Sequence, residues 1–260
     1  MQNKPLILVT NDDGIEAKGL KSLINIAMEF GEVVAISSQI PMSGMSHSIT
    51  IKVPLRVSLI EEIPGLKLYL TTGTPVDGVK LAFHSLLGRM PDLVLSGINH
   101  GSNSSSSILY SGTMGAAMEG AINHIPSMGF SLLSYDPDAD FGAAEHVARN
   151  LIRKVIGNGL PEGICLNVNV PDVAVKELKG IRICTQANGY WKEEFQKRKD
   201  PIGKEYYWLT GFFHNREPEG GGLGTDEWAL EKHYASVVPV KTDLTAHAMI
   251  ETLKSWENTE

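Results

Sequence analysis

The chain has 260 residues, 42% apolar and 20% charged, with a formal net charge of −7. At 28.3 kDa it folds to roughly 11,000 Å² of surface from about 41,000 Å² unfolded, enough burial for a substantial core in one large domain or two. Its apolar content excludes disorder, its short hydrophobic runs exclude a transmembrane helix, and thirty acids against 23 bases with no basic stripe disfavour a binder of nucleic-acid backbone.

The first residues, MQNKPLILVTNDDG, pass from a few polar positions straight into a strand and two acids, without a signal-peptide pattern. Leu6 to Thr10 is a continuous apolar run, as expected of a strand buried on both faces of a parallel sheet. Further strands are expected at Val33 to Ser37, Leu66 to Leu70 and Leu93 to Leu95. Ser48 to Ile60 is β-rich with Pro54 at its centre, which predicts an edge hairpin bent at the proline. Val76, Val79, Phe83, Leu86 and Leu87 fall on one helical face, as do Met114, Ala117, Met118, Ala121, Ile122 and Ile125. Ala144, Val147, Ala148, Leu151, Ile152, Val155 and Ile156 repeat the pattern.

Strands alternating with helices predict βαβ units and a mostly parallel α/β sheet covered on both faces. Cys165 and Cys184 lie in strand-like runs and form neither a disulfide framework nor a zinc spacing, which suits a cytoplasmic protein. From Gly189 the chain turns aromatic and charged, and it carries Gly220, Gly221, Gly222 and Gly224 before a helix start at Thr225. The expected division is a core over 1–188 and an extension over 189–260, ending in a helical stretch from Asp243 to Trp256.

Ligands of open α/β sheets bind at the carboxyl ends of the strands, so the residues following each strand carry the functional reading. After the first come Asn11, Asp12, Asp13 and Gly14; after the second, the loop with Ser43 and Gly44; after the fourth, Gly97, Asn99, Gly101 and Asn103. Ser111-Gly112-Thr113 opens the helix with Met114. Adjacent carboxylates raise each other's pKa, and a hard divalent cation held by oxygen donors relieves the cost. The same four residues, Asn11 to Gly14, also suit an ordinary turn. Ser111-Gly112-Thr113 fits either an anion site at a helix start or a plain N-cap. None of these segments contains Lys or Arg, so a phosphate substrate would need a cation. Asp136, Asp138 and Asp140 begin like a calcium loop, but Phe141 and Val147 stand where the turn glycine and the bidentate acid belong, which leaves a solvated loop with Asp140 capping the next helix. Neither a P-loop nor a GxGxxG follows the first strand.

Taken together, ILVTNDDGI, PMSGMSHSIT, TTGTPVDGVKLA, DLVLSGINHGSN, YSGTMGAAMEGA, LNVNVP and GTDEWALEKHYASVVPV resemble the SurE family of survival proteins, which are 5′/3′-nucleotidases. The resemblance spans about residues 6 to 243. It implies a Rossmann-like fold and a phosphomonoesterase acting on nucleoside monophosphates, with one divalent ion, Mg²⁺ or Mn²⁺, per subunit. By position in the blocks it implies Asp12 and Asp13 as catalytic residues and Asp12, Asp13, Ser43 and Asn99 as metal ligands. Asn11, Gly44, Asn103, Ser111, Gly112 and Thr113 would then meet the substrate. It also implies a homodimer or homotetramer built through a hairpin and the C-terminal extension, with no stable nucleic-acid complex and no membrane association. Two alternatives stand beside this expectation: a non-catalytic nucleotide sensor using the same pocket, and a haloacid-dehalogenase-like phosphatase with an aspartyl-phosphate intermediate, whose DxD pattern these adjacent acids lack.

Overall fold

In the computed structural model, residues 4–218 and 222–257 are described. Gly220 and Gly221 of the expected flexible loop lie outside them, as do the first and last three residues. The chain runs β1 (Leu6–Thr10), α1 (Lys18–Met28), β2 (Glu32–Ser38), β3 (Val57–Ile63), β4 (Leu66–Thr71), α2 (Pro75–Leu81), β5 (Leu93–His100), α3 (Gly112–Ile122) and β6 (Ser127–Leu132). It continues through α4 (Gly142–Asn158), β7 (Ile164–Val170), β8 (Ile181–Ile183), β9 (Gly189–Lys199), β10 (Glu205–Asn215), α5 (Asp226–Glu231), β11 (Ala235–Lys241) and α6 (His247–Lys254). Nine strands form one sheet in the order β3-β4-β2-β1-β5-β6-β7-β11-β8, and β9 and β10 form a separate antiparallel pair. From β4 through β7 every neighbouring pair is parallel.

Alternation along β1 sets the two cores. Ile7 and Val9 join Leu20, Leu23, Phe130, Val147 and Leu151 beneath α1 and α4. Leu8 points the other way, to Val34, Ile36, Val79, Phe83 and Ala116 beneath α2 and α3. A two-residue period on strands buried on both faces requires this division. Local signals place the helices: Thr74 and Asp77 form a reciprocal capping box with Pro75 in the first turn of α2, and Thr225 accepts the Trp228 N–H at the start of α5.

The structure departs from the sequence expectations in four places. Residues 48–56 form no strand. The edge hairpin instead pairs β3 with β4 around Pro64 and Gly65, and Pro54 falls in the irregular stretch before it, where no ladder needs its missing N–H. The helical face from Val76 to Leu87 is split, with α2 passing into a π-helical turn over Ala82–Leu86. The C-terminal helix is shorter than expected, at His247–Lys254. Finally, the residues beyond 188 are not one appendage. β11 lies inside the main sheet, antiparallel to β7 and parallel to β8, while the β9–β10 hairpin forms a sheet of its own. Among the described residues no helix is long and apolar enough to cross a membrane.

Candidate active site

Chain order reverses at β1: the polypeptide moves outward to β2 and β4, then returns to place β5 on the other side. Such a switch point opens a crevice at the carboxyl ends of the two central strands. Asp12 and Asp13 follow β1 there, and Asn99 and His100 end β5. A register shift between Ser96 and Asn99 interrupts the β5–β6 ladder, and bulges of this kind re-aim the side chains that follow. A side chain at Gly97 (φ +122°) would meet the Phe130 carbonyl at 2.3 Å, so only glycine fits the bend.

The resulting cleft, about 380 Å³, is lined by Asp12, Asp13, Ser43, Gly44, Asn99, His100, Ser102, Asn103, Ser107, Tyr110, Ser111, Tyr135 and Trp191. Seven of the ten residues singled out from the sequence thus meet on one surface. The other three stand behind it. Asn11 is fully buried, donating to the Gly14 carbonyl and accepting from the Ser37 hydroxyl, so its amide shapes the turn. Thr113 donates its hydroxyl to Asp12 Oδ1 at 2.5 Å, and Gly112 lies against the same carboxylate.

Asp12 is only 3% exposed. Burial pushes its carboxyl up to about 6; the Thr113 hydroxyl works against that shift and the neighbouring Asp13 charge adds to it. Burial also raises Asp13, although the His100 backbone N–H donates to Asp13 Oδ2 at 3.0 Å. Among the described residues neither acid has a Lys or Arg partner, and no cluster of three or more His, Cys, Asp or Glu is formed. The donor set is therefore two carboxylates completed by neutral oxygens. Asn99 fits it, because its Nδ2 donates to the Gly101 carbonyl and leaves Oδ1 available. Such an all-oxygen set with excess negative charge suits a hard divalent cation.

Two supports were not read from the sequence. Asn169 Oδ1 accepts the Asn103 N–H at 2.8 Å, Asn167 Nδ2 donates to the Asn103 carbonyl at 2.8 Å, and Asn169 Nδ2 donates to Asn167 Oδ1. With the Asn103 amide donating to Ser131 Oγ, the loop is held on three sides. The available signal was two asparagines at period two in the buried strand ICLNVNV. The second support is Glu119 on α3, which takes His47 Nε2 at 3.0 Å and Lys80 Nζ at 2.7 Å. Burial raises its carboxyl, but these two partners outweigh burial and hold it below the usual range. His47 lies four residues after Ser43, so its contact with Glu119 ties that loop to the helix that begins after Ser111.

Ser111 is both a cap and a wall. It accepts the Met114 N–H at 3.0 Å and lines the cleft, so the two readings of Ser111-Gly112-Thr113 are compatible. The loop at Asp136 to Asp140 is solvated as expected, but Phe141 rather than Asp140 stands at the N-cap of α4, and Asp140 takes the Gly142 N–H from one position earlier.

This is a Rossmann-like α/β protein with an oxygen-rich cleft at its switch point. The family model described as "Survival protein SurE" matches residues 7–193. The 5'-nucleotidase SurE of Christiangramia forsetii is 51% identical over 257 residues, covering 98% of each chain, and that of Flavobacterium psychrophilum is 50% identical over 256 residues with the same coverage. The crystal structure of SurE protein from Aquifex aeolicus superposes with a TM-score of 0.83 at 36% identity, covering 98% of this chain and all of the other. The chain belongs to the SurE family.

Proposed function

We propose that the protein is a divalent-metal-dependent phosphomonoesterase that hydrolyses nucleoside 5′- and 3′-monophosphates to nucleoside and phosphate. The observation that carries this reading is the Asp12–Asp13 pair, the first buried and the second half-buried, with no Lys or Arg partner among the described residues, beside the start of α3. Its relatives' names point the same way. Asp12, Asp13, Ser43 and Asn99 would hold one Mg²⁺ or Mn²⁺. When bound, the ion supplies positive charge for the phosphoryl oxygens and makes a nearby water more acidic.

The chain's own residues do the positioning. Thr113 fixes Asp12 by its hydroxyl bond, leaving that carboxylate to orient the attacking water. Ser111 and the first N–H groups of α3 favour the negatively charged oxygens of the substrate, while Asn103, braced by Asn167 and Asn169, lines the same cleft. Phosphoryl transfer asks mainly for such placement and charge.

A homodimer or homotetramer is proposed through the β9–β10 hairpin and α6. The chain exposes 14,575 Å², well above the roughly 11,000 Å² expected for its mass, and α6 buries none of its residues. Cytoplasmic residence is proposed from two free, buried cysteines.

The test is phosphate release from a panel of nucleoside 5′- and 3′-monophosphates with Mg²⁺ or Mn²⁺. Turnover is expected with metal and not with excess EDTA. Nucleotide binding without any turnover would favour the sensor reading, and trapping of a phosphorylated Asp12 would favour an aspartyl-phosphate.

Gly112 supplies a second check. A Cβ there would sit 2.9 Å from Asp12 Oδ2, so Gly112→Ala is expected to displace the carboxylate and lower kcat about 10²-fold, the scale of a 1 Å misplacement. An unchanged circular dichroism spectrum would accompany the loss, and unchanged turnover would contradict it.

A further inference from the structure

Beside the polar cleft lies a second hollow of about 500 Å³, lined by Gly44, Tyr110, Trp191, Leu209, Thr210 and Gly211. Gly44, Tyr110 and Trp191 belong to both spaces, so the two adjoin, one polar and acidic and the other apolar. Among the described side chains none that lines the second hollow is charged, and the Thr210 hydroxyl donates to the Glu194 carbonyl within the hairpin. A second phosphate group would find no counter-charge there.

The apolar hollow is a built feature. Trp191 donates its indole N–H to Ser107 Oγ at 3.0 Å and meets the Phe213 ring edge-on at 6.2 Å. Ser107 and Tyr110 share one 3₁₀ turn, Ser105–Tyr110, so that bond ties the two aromatic side chains to a common element. The hairpin root is fixed to the same turn: Ser105 Oγ donates to the Ala187 carbonyl at 2.8 Å, and the Asp226 carboxylate accepts both the Ser105 and the Ala187 N–H. In the β9–β10 register Trp191 lies opposite Phe213. Gly211, which has no side chain, leaves the same strand face recessed between Phe213 and Leu209. Despite these anchors Trp191 keeps 38% of its surface exposed and Tyr110 keeps 56%. Two aromatic side chains held next to a recess, with surface to spare, suit a flat neutral ring.

We propose that this hollow is the nucleobase subsite, in which a base stacks on Trp191 and is bounded by Tyr110 and Leu209. For its phosphate end the proposal rests on the phosphomonoesterase reading above. Stacking on aromatic faces is tolerant of base identity, so the subsite selects for an aromatic base over none and discriminates weakly between bases.

The experiment compares AMP with ribose 5-phosphate, which carries the same phosphate and sugar without the base. The preference is read twice, as the ratio of kcat/KM values and as the ratio of Kd values in equilibrium binding. Trp191→Ala is expected to lower both ratios about tenfold, Tyr110→Ala to lower them by a smaller factor, and Trp191→Phe to retain most of the preference because it keeps a ring.

Hydrolysis with the same ratio in wild type and both alanine variants would overturn the subsite and leave the phosphatase standing. Binding that prefers AMP through Trp191 without hydrolysis of either ester would leave the subsite and overturn the phosphatase. A fall in oligomer size with Trp191→Ala at an unchanged ratio would assign the hollow to a second copy of the chain and also overturn the proposal.

Discussion

Asp12→Asn is expected to lower phosphate release on the order of 10³-fold while making the metal-free protein more stable at neutral pH. Asparagine keeps an oxygen for the Thr113 hydroxyl but brings no charge to a cation, so the loss falls on the chemistry. The stability gain follows from the sign of the shift. Burial raises the folded-state pKa of Asp12 from 3.8 to about 6, so ionisation disfavours the folded state. The cost is absent below about pH 4, grows through the interval up to pH 6 and is fully present above it, reaching about 3 kcal/mol. Urea denaturation in EDTA should therefore show Asp12→Asn more stable than wild type at pH 7, with the difference closing as pH falls toward 4. Wild-type turnover in the variant would contradict the assignment of Asp12.

Asp226→Ala is expected to lower stability by about 3 kcal/mol. Its carboxylate, 1% exposed, accepts three backbone N–H groups: Ser105 at 2.8 Å, Ala187 at 2.9 Å and Glu227 at 2.9 Å. Alanine leaves all three donors unsatisfied, each at about 1–3 kcal/mol, partly offset because the carboxylate no longer has to be kept from water, the same burial that raises its pKa. The midpoint of urea unfolding measures the loss, and Asp226→Asn should fall between wild type and alanine. Because Ser105 follows the Asn103 loop and Ala187 precedes the hairpin, kcat/KM should fall along with stability. An unchanged midpoint would show that water or neighbouring groups replace the carboxylate.

How much of this was legible in the amino-acid sequence depends on whether the information is local. The buried run Leu6 to Thr10, the cap at Thr225, and the helical faces of α3 as far as Ala121 and of α4 as far as Val155 are written in consecutive residues and form where their patterns predict, whereas Ile122 and Ile156 are exposed and Ile125 lies beyond α3. The acids after β1 and Asn99 at the end of β5 could be tied to one rim because strand carboxyl ends converge in this class of sheet. Less legible were features that depend on pairing between distant segments. The β11 stretch, ASVVPVK, contains Pro239, which argues against a central strand. The structure tolerates it because β8 covers only Ala235 to Val237 and leaves the remainder of that side open. Asn167 and Asn169 read as polar interruptions of a strand until Asn103 is placed against them. Trp191 gains its position from the register of the hairpin and the bond to Ser107, neither of which has a local signature.

The central claim is that Asp12 and Asp13 with Ser43 and Asn99 hold a divalent cation. Anomalous diffraction above the manganese edge from crystals grown with MnCl₂ tests it most directly. A single strong peak within about 2.5 Å of oxygen atoms from Asp12, Asp13 and Asn99 is the expected result. A map without a peak in the cleft, at manganese concentrations that support full turnover, would contradict it.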